Sequence, residues 1–199
     1  MSYQYLLDKK VYSPKGVKKL FGKTVKEEKD EIEKVLTLGK YQKLREMWYV
    51  SFFVLAIKNK YSEEYYICPS DYPDTHLIKN IGPNQEGFPV EVMTIYDFYQ
   101  KEFNGNYDEL IEKICFKKQK RDYGRSTLLL INRIQSKRFN ITHFARLLNQ
   151  KRLPFERIWL GLFREFNKDW TFFDIYPLSN FKNITQINYN FKDAERLFF

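Results

Sequence analysis

The sequence predicts an α/β protein in which helices flank a mixed central β-sheet. Three observations carry this. Segments with apolar residues at helical spacing alternate with short β-prone segments, in the order helix, helix, three strands, helix, strand, helix, two strands. One segment, Thr127 to Ile134, carries the unbroken apolar run Leu128 to Ile131 and reads as a strand covered on both faces. The composition does not change along the 199 residues, a length that can bury one sizeable core without disulfides or a structural metal. A single domain over 1–199 is expected, with a basic arm at about 1–26.

The arm carries Lys9, Lys10, Lys15, Lys18, Lys19, Lys23 and Lys26 with little apolar pattern, and is expected to hold at most a short helix. Ile32, Val35 and Leu36 predict a first helix over Val25 to Leu38, its early turns loaded with acid and its end at Gly39. A second helix is predicted from Tyr41 to Asn59. It is apolar on most sides, so it should lie buried across a sheet. Strands follow at Tyr65 to Cys68, Thr75 to Lys79 and Phe88 to Tyr96, with a turn over Ile81 to Gly87. Alternation in the third strand puts Val90, Val92 and Thr94 on one face and Glu91, Met93 and Ile95 on the other. A helix from Tyr107 to Asp122 turns Leu110, Ile111, Ile114 and Cys115 inward. After the apolar strand, Ile141 to Asn149 reads as a helix capped by Asn140 or Thr142. It superficially resembles a helix-turn-helix element, but strands follow at once, so it is read as covering the sheet. Arg157 to Phe163 and Trp170 to Tyr176 are strands, and weak alternation from Ile184 suggests one more before the tail.

Charge and composition narrow the function. Lys and Arg number 34 against 25 acids, a formal charge of +9. A positive field concentrates polyanions, and nucleic acid is the expected partner. The longest apolar run, Met47 to Ile57, is too short to span a bilayer, and the opening residues carry no apolar stretch of signal length. A cytoplasmic protein without a membrane partner is therefore expected. Cys68 and Cys115 fit a reducing compartment and sit in apolar patterns, as buried structural thiols do. There is no Gly-rich phosphate loop, no G-x-S-x-G, no Cys-x-x-Cys, and His76 and His143 are the only histidines.

The acids carry the remaining signal. Asp74 leads into one strand and Glu91 stands in the next, and an antiparallel hairpin brings such residues side by side. Two carboxylates a few ångströms apart suit Mg²⁺, with water and phosphate oxygens completing the shell. A carboxylate flanked by Val90 and Val92 is costly unless it meets a cation or a cleft. The competing reading makes Asp74 a turn residue and leaves Glu91 facing solvent. His76, which shares a strand face with Asp74 by period two, is a candidate ligand or proton carrier, or a structural histidine. Cations cluster from Lys117 to Arg125, including Lys118, Lys120 and Arg121, and again at Lys137 and Arg138, with Lys151, Arg152 and Arg157 beyond. Interleaved rings (Tyr96, Phe98, Tyr99, Phe103, Tyr107) are candidates for stacking on unpaired bases or for the core.

Pro73-Asp74 followed by Glu91-Val92-Met93 resembles the Pro-Asp…(Asp/Glu)-x-Lys signature of the PD-(D/E)XK nuclease superfamily. The element order is similar, and so is the lysine-rich segment Ile111 to Tyr123 followed by Leu128 to Asn132. The resemblance covers roughly Lys40 to Pro177 and implies a restriction-endonuclease-like fold. It also implies that Asp74 and Glu91 hold Mg²⁺ or Mn²⁺, with the Val92 carbonyl as a third oxygen and a glutamate from the preceding helix, Glu46 or alternatively Glu33. The chain departs at Met93, where the superfamily has its lysine. Lys117, Lys118 and Lys120 are the candidates for a migrated lysine. Lys117, Lys118, Lys120, Arg121, Arg125, Lys137 and Arg138 would hold the nucleic-acid backbone.

The leading expectation is thus a metal-dependent nuclease acting on DNA or RNA. The alternatives are a catalytically inactive nucleic-acid-binding module on the same fold, and an interaction protein that docks an acidic partner. A homodimer is left open.

Overall fold

The structure, a computed structural model, describes residues 10–79, 86–95, 106–118, 123, 126–131, 139–165, 169–182 and 184–190. Helix α1 (Pro14–Glu27) opens with Ser13, whose Oγ accepts the Gly16 N–H at 3.0 Å, and with Pro14 in its first turn. Its Val17, Phe21 and Thr24 are buried. The expected arm is thus a fourteen-residue helix from Pro14 on, because those three residues make an apolar stripe beneath the lysines. Residues 1–9 lie outside the described residues. The helix expected over Val25 to Leu38 is two pieces. Lys29 and Asp30 take left-handed backbone angles that end α1 and separate it from α2 (Ile32–Thr37).

A short 3₁₀ turn (Gly39–Tyr41) leads into α3 (Gln42–Tyr61), twenty residues with the continuous stretch Glu46 to Val54 buried. Three strands follow as a meander: β1 (Tyr66–Pro69), β2 (Thr75–Lys79) and β3 (Glu86–Thr94). Helix α4 (Tyr107–Lys118) and strand β4 (Thr127–Ile131) come next, then α5 (Ile141–Leu148). The Oδ1 of Asn140 caps α5 by accepting the His143 N–H at 2.9 Å. Strands β5 (Arg157–Glu165), β6 (Asp169–Tyr176) and β7 (Gln186–Asn190) complete the fold. Of the turn predicted over Ile81 to Gly87, Glu86 and Gly87 instead open β3, where Gly87 pairs with Ile78 and Glu86 with Lys79. Residues 81–85, the extension of α4 past Lys118, the end of the apolar strand and the tail beyond Asn190 lie outside the described residues.

The seven strands form one mixed sheet in chain order. The pairs β1–β2, β2–β3, β5–β6 and β6–β7 are antiparallel, while β3–β4 and β4–β5 are parallel. Period-two alternation divides the apolar side chains between two cores. On one face α1, α2 and α3 cover Ile67, Leu77, Val90, Val92, Leu129, Ile131, Trp170 and Phe172. Aromatic packing dominates there: Trp170 stacks on Phe52 at 5.2 Å, and Trp48 stacks on Phe21 at 4.3 Å. On the other face α4 and α5 cover Met93, Ile95, Leu128, Leu130, Ile158 and Leu160. β4 is thus covered on both faces, as its apolar run predicts. No helix among the described residues is long and apolar enough to cross a membrane.

Candidate active site

Thr75 pairs with Val90 across the β2–β3 ladder, so Asp74, one step back, stands beside Glu91. Two hydrogen bonds lock the two acids to each other's strands. The Asp74 N–H donates to Glu91 Oε2 at 3.2 Å, and the Val92 N–H donates to Asp74 Oδ2 at 2.8 Å. Val92 therefore enters the site through its amide. The sequence expectation of a side-by-side pair is met, whereas the solvent-facing reading of Glu91 is not, since only 5% of that residue is exposed.

Glu91 lies on the sheet face covered by α4, and its cation comes from that helix. Lys118 Nζ donates to Glu91 Oε1 at 2.6 Å, with both residues buried. A buried pair of this kind stabilises only when geometry offsets desolvation, and a short charge-assisted bond meets that condition. Of the two described candidate lysines, Lys117 and Lys118, it is Lys118 that reaches Glu91. Lys117 is exposed on the opposite side of the same turn. Lys120, Arg121, Arg125, Lys137 and Arg138 lie outside the described residues. Met93, at the superfamily's lysine position, is buried in the α4–α5 core, where a thioether packs well and an ammonium would not.

Glu46 approaches from α3, the other side of the sheet. Its Oε1 accepts from Gln42 Nε2 at 2.8 Å. Its Oε2 is buried and accepts no hydrogen bond, although Lys43 Nζ lies 3.2 Å away as an ion-pair partner. Glu33 sits exposed on α2, whereas Glu46 is buried and its charge acts on Asp74. Lys43, which the sequence reading passed over, also donates to the carbonyls of Ser70 at 2.5 Å and Asp74 at 3.2 Å. It ties α3 to the turn that carries Asp74. Its place one turn before Glu46 was the available signal.

The charges of the neighbouring acids act on Asp74. Burial pushes the Asp74 carboxyl up to about 6, and the charges of Glu46 and then Glu91 push in the same direction. The Val92 N–H and the Lys118 ammonium pull it back only in part. Among the described residues, no three His, Cys, Asp or Glu side chains converge tightly enough to hold a metal ion together. The two carboxylates that stand together are Asp74 and Glu91, a pair of hard oxygen donors of the kind that suits Mg²⁺ when water and phosphate complete the shell. Glu46 Oε2 is buried and makes an ion pair with Lys43 but accepts no hydrogen bond.

Aromatic residues back the site. Lys118 Nζ lies 5.5 Å from the centre of the Tyr123 ring. Tyr123 stacks on Phe155 at 4.5 Å and meets Tyr72 at 5.5 Å. The rings proposed from sequence fare differently. Tyr107 packs against Phe139, His143 and Phe144 in the core, and Tyr96, Phe98, Tyr99 and Phe103 lie outside the described residues. His76 is half-buried in β2, opposite Cys68 and Pro89. Arg157 opens β5 at the same end of the sheet as Val90, through the register Val90–Thr127–Arg157, and is braced by Asp174 at 2.5 Å. Cys68 and Cys115 are buried free thiols.

Comparison with protein-family models, curated proteins and solved structures finds no match to this chain.

Proposed function

We propose that this protein is a metal-dependent nuclease of the PD-(D/E)XK type, cleaving phosphodiester bonds in DNA or RNA. The observation that carries the reading is the 2.6 Å bond between Lys118 and Glu91. A lysine from α4 reaches the acid whose own strand carries Met93 where the superfamily lysine belongs. The order α3, meander β1–β3, α4, then β4 parallel to β3 supports a restriction-endonuclease-like core, with both acids at one end of the meander.

Asp74 and Glu91 would hold Mg²⁺ or Mn²⁺, which when bound supplies Lewis-acid activation of water and a clamp on phosphate oxygen. The chain's own groups do the rest. The interlocked backbone bonds of Asp74 and Val92 fix the two carboxylates in place, so no reorganisation is needed as charge develops. Lys118 brings one fixed positive charge to the pair and opposes the negative charge that builds on the phosphoryl oxygens. Glu46, whose Oε2 is buried and makes an ion pair with Lys43 but accepts no hydrogen bond, would be the group to receive a proton from ordered water. The positive surface holds the backbone without choosing a sequence.

A second reading, a nucleic-acid-binding module without catalysis, is favoured by one observation: the buried, apolar Met93. Cleavage of plasmid, single-stranded DNA and RNA, with Mg²⁺ or Mn²⁺ against EDTA, separates the two. Metal-dependent cleavage is expected, absent in Asp74→Ala/Glu91→Ala and lowered at least about a hundredfold in Lys118→Met, whose loss removes a charge-stabilising donor. Salt-sensitive binding without cleavage of any substrate would establish the second reading instead.

A further inference from the structure

The turn that carries Asp74 also presents an aromatic ring. Tyr72 is two residues before the carboxylate and 40% exposed, whereas Tyr123 and Phe155 beneath it are buried. The three rings form a ladder from the core outward, Phe155 to Tyr123 at 4.5 Å and Tyr123 to Tyr72 at 5.5 Å. Lys118, the cation on Glu91, lies over the middle ring. The outermost ring is thus linked through two side chains, Tyr123 and Lys118, to Glu91.

The turn is also pinned. The Ser70 N–H donates to the Asp74 carbonyl at 3.1 Å, and Ser70 Oγ donates to the Tyr72 carbonyl at 3.4 Å. Lys43 holds the carbonyls of Ser70 and Asp74 from α3. A large, partly exposed ring on a fixed turn has little ordering cost left when a flat ligand packs against it. The flat group nearest a scissile phosphate is the nucleobase of an adjoining nucleotide. Inside a duplex both faces of a base are already covered, so only an unpaired base can be stacked.

We infer that Tyr72 is the stacking platform for an unpaired nucleobase beside the scissile phosphate, so that the substrate is single-stranded, or unpaired at the point of cleavage. This rests on the nuclease reading above and specifies its substrate. Tyr72 is a specificity residue that acts by binding, and the acids remain intact without it.

The test uses the full chain in EDTA, which separates binding from cleavage. Short single-stranded DNA and RNA oligonucleotides carrying 2-aminopurine are titrated with wild type, Tyr72→Phe and Tyr72→Ala, alongside a duplex of the same sequence. Wild type and Tyr72→Phe are expected to quench the fluorophore. Tyr72→Ala is expected to lose the quench and to bind single strands about five- to a hundredfold more weakly, with duplex binding unchanged. The arm that responds, DNA or RNA, identifies the sugar. Equal quenching and equal affinity in Tyr72→Ala, while Asp74→Ala/Glu91→Ala still abolishes cleavage by the metal-loaded protein, would overturn the stacking role alone. Binding of no oligonucleotide by wild type would overturn the nuclease reading and the stacking role together.

Discussion

Asp74 is a carboxylate whose proton is held more tightly than usual, because of its burial and the acids around it. Its folded value of about 6 lies above the ordinary aspartate value of 3.8, so the folded protein binds this proton more tightly than the unfolded chain does. Stability contributed by this group is therefore fully present below about pH 4 and lost as pH rises through about 6. The difference is up to about 3 kcal/mol. Asp74→Asn mimics the protonated form at every pH. Melting metal-free wild type and Asp74→Asn from pH 4 to pH 8 should show similar stabilities at the acid end and a more stable variant at the alkaline end. A gap that is constant with pH would mean that Asp74 ionises like an exposed carboxylate. Two groups in this site were readable from sequence with different ease. The pairing of Asp74 with Glu91 follows from strand spacing. Lys118 continues the inward stripe of Leu110, Ile111, Ile114 and Cys115 at helical spacing, which distinguishes it from Lys117, but that signal competes with the ordinary expectation that lysines face water.

The strands hold their places through close contacts that a sequence does not display. Gly161 in β5 lies under Phe172 of β6 and beside Ile131 of β4. A Cβ at that position would sit 2.8 Å from the Phe172 ring and 3.1 Å from the Ile131 side chain. Gly161→Ala should destabilise the protein by about 1–3 kcal/mol, because an overfilled core forces neighbours off their rotamers. Denaturant unfolding measures this, and an unchanged midpoint would show that β5 and β6 can part at no cost. Helix α5 is tied to β6 by a side chain too. Asn149 donates to the carbonyls of Ala145 and Ile175, both at 2.7 Å, and accepts the Leu178 N–H at 2.8 Å. The elements themselves were legible, since β2 was expected with the bounds it has. The break between α1 and α2 was not, because Lys29 and Asp30 adopt left-handed angles without the glycine that usually announces them.

The molecule as a whole carries a formal charge of +9 spread along a single sheet-and-helix body. Glu46, Glu91 and Asp174 are buried, while Lys117, Lys151 and Arg152 stay at the surface. A net positive charge of this size attracts polyanions. Affinity for single-stranded DNA should fall as salt rises, with a log–log slope of about −0.7 for each phosphate contacted. Fluorescence anisotropy over a salt series gives the slope. A flat series would show that binding does not use the charge, and would favour an acidic protein surface reached by another route.

Much of this protein is written in local pattern. Helical spacing, strand alternation and the continuous apolar β4 specify an α/β body with a sheet covered on both faces, because burying apolar surface dominates the folding free energy and its periodicity is visible in one dimension. The approach of Asp74 to Glu91 is nearly as local, being a consequence of a short antiparallel connection. The remaining features depend on elements far apart in the chain. Which lysine reaches Glu91, which glutamate stands behind Asp74, how Lys43 pins the turn and why Tyr72 rests on Tyr123 all follow from how α3 and α4 settle on opposite faces of the sheet. Those contacts join residues that sequence spacing leaves unrelated, and packing alone selects among them.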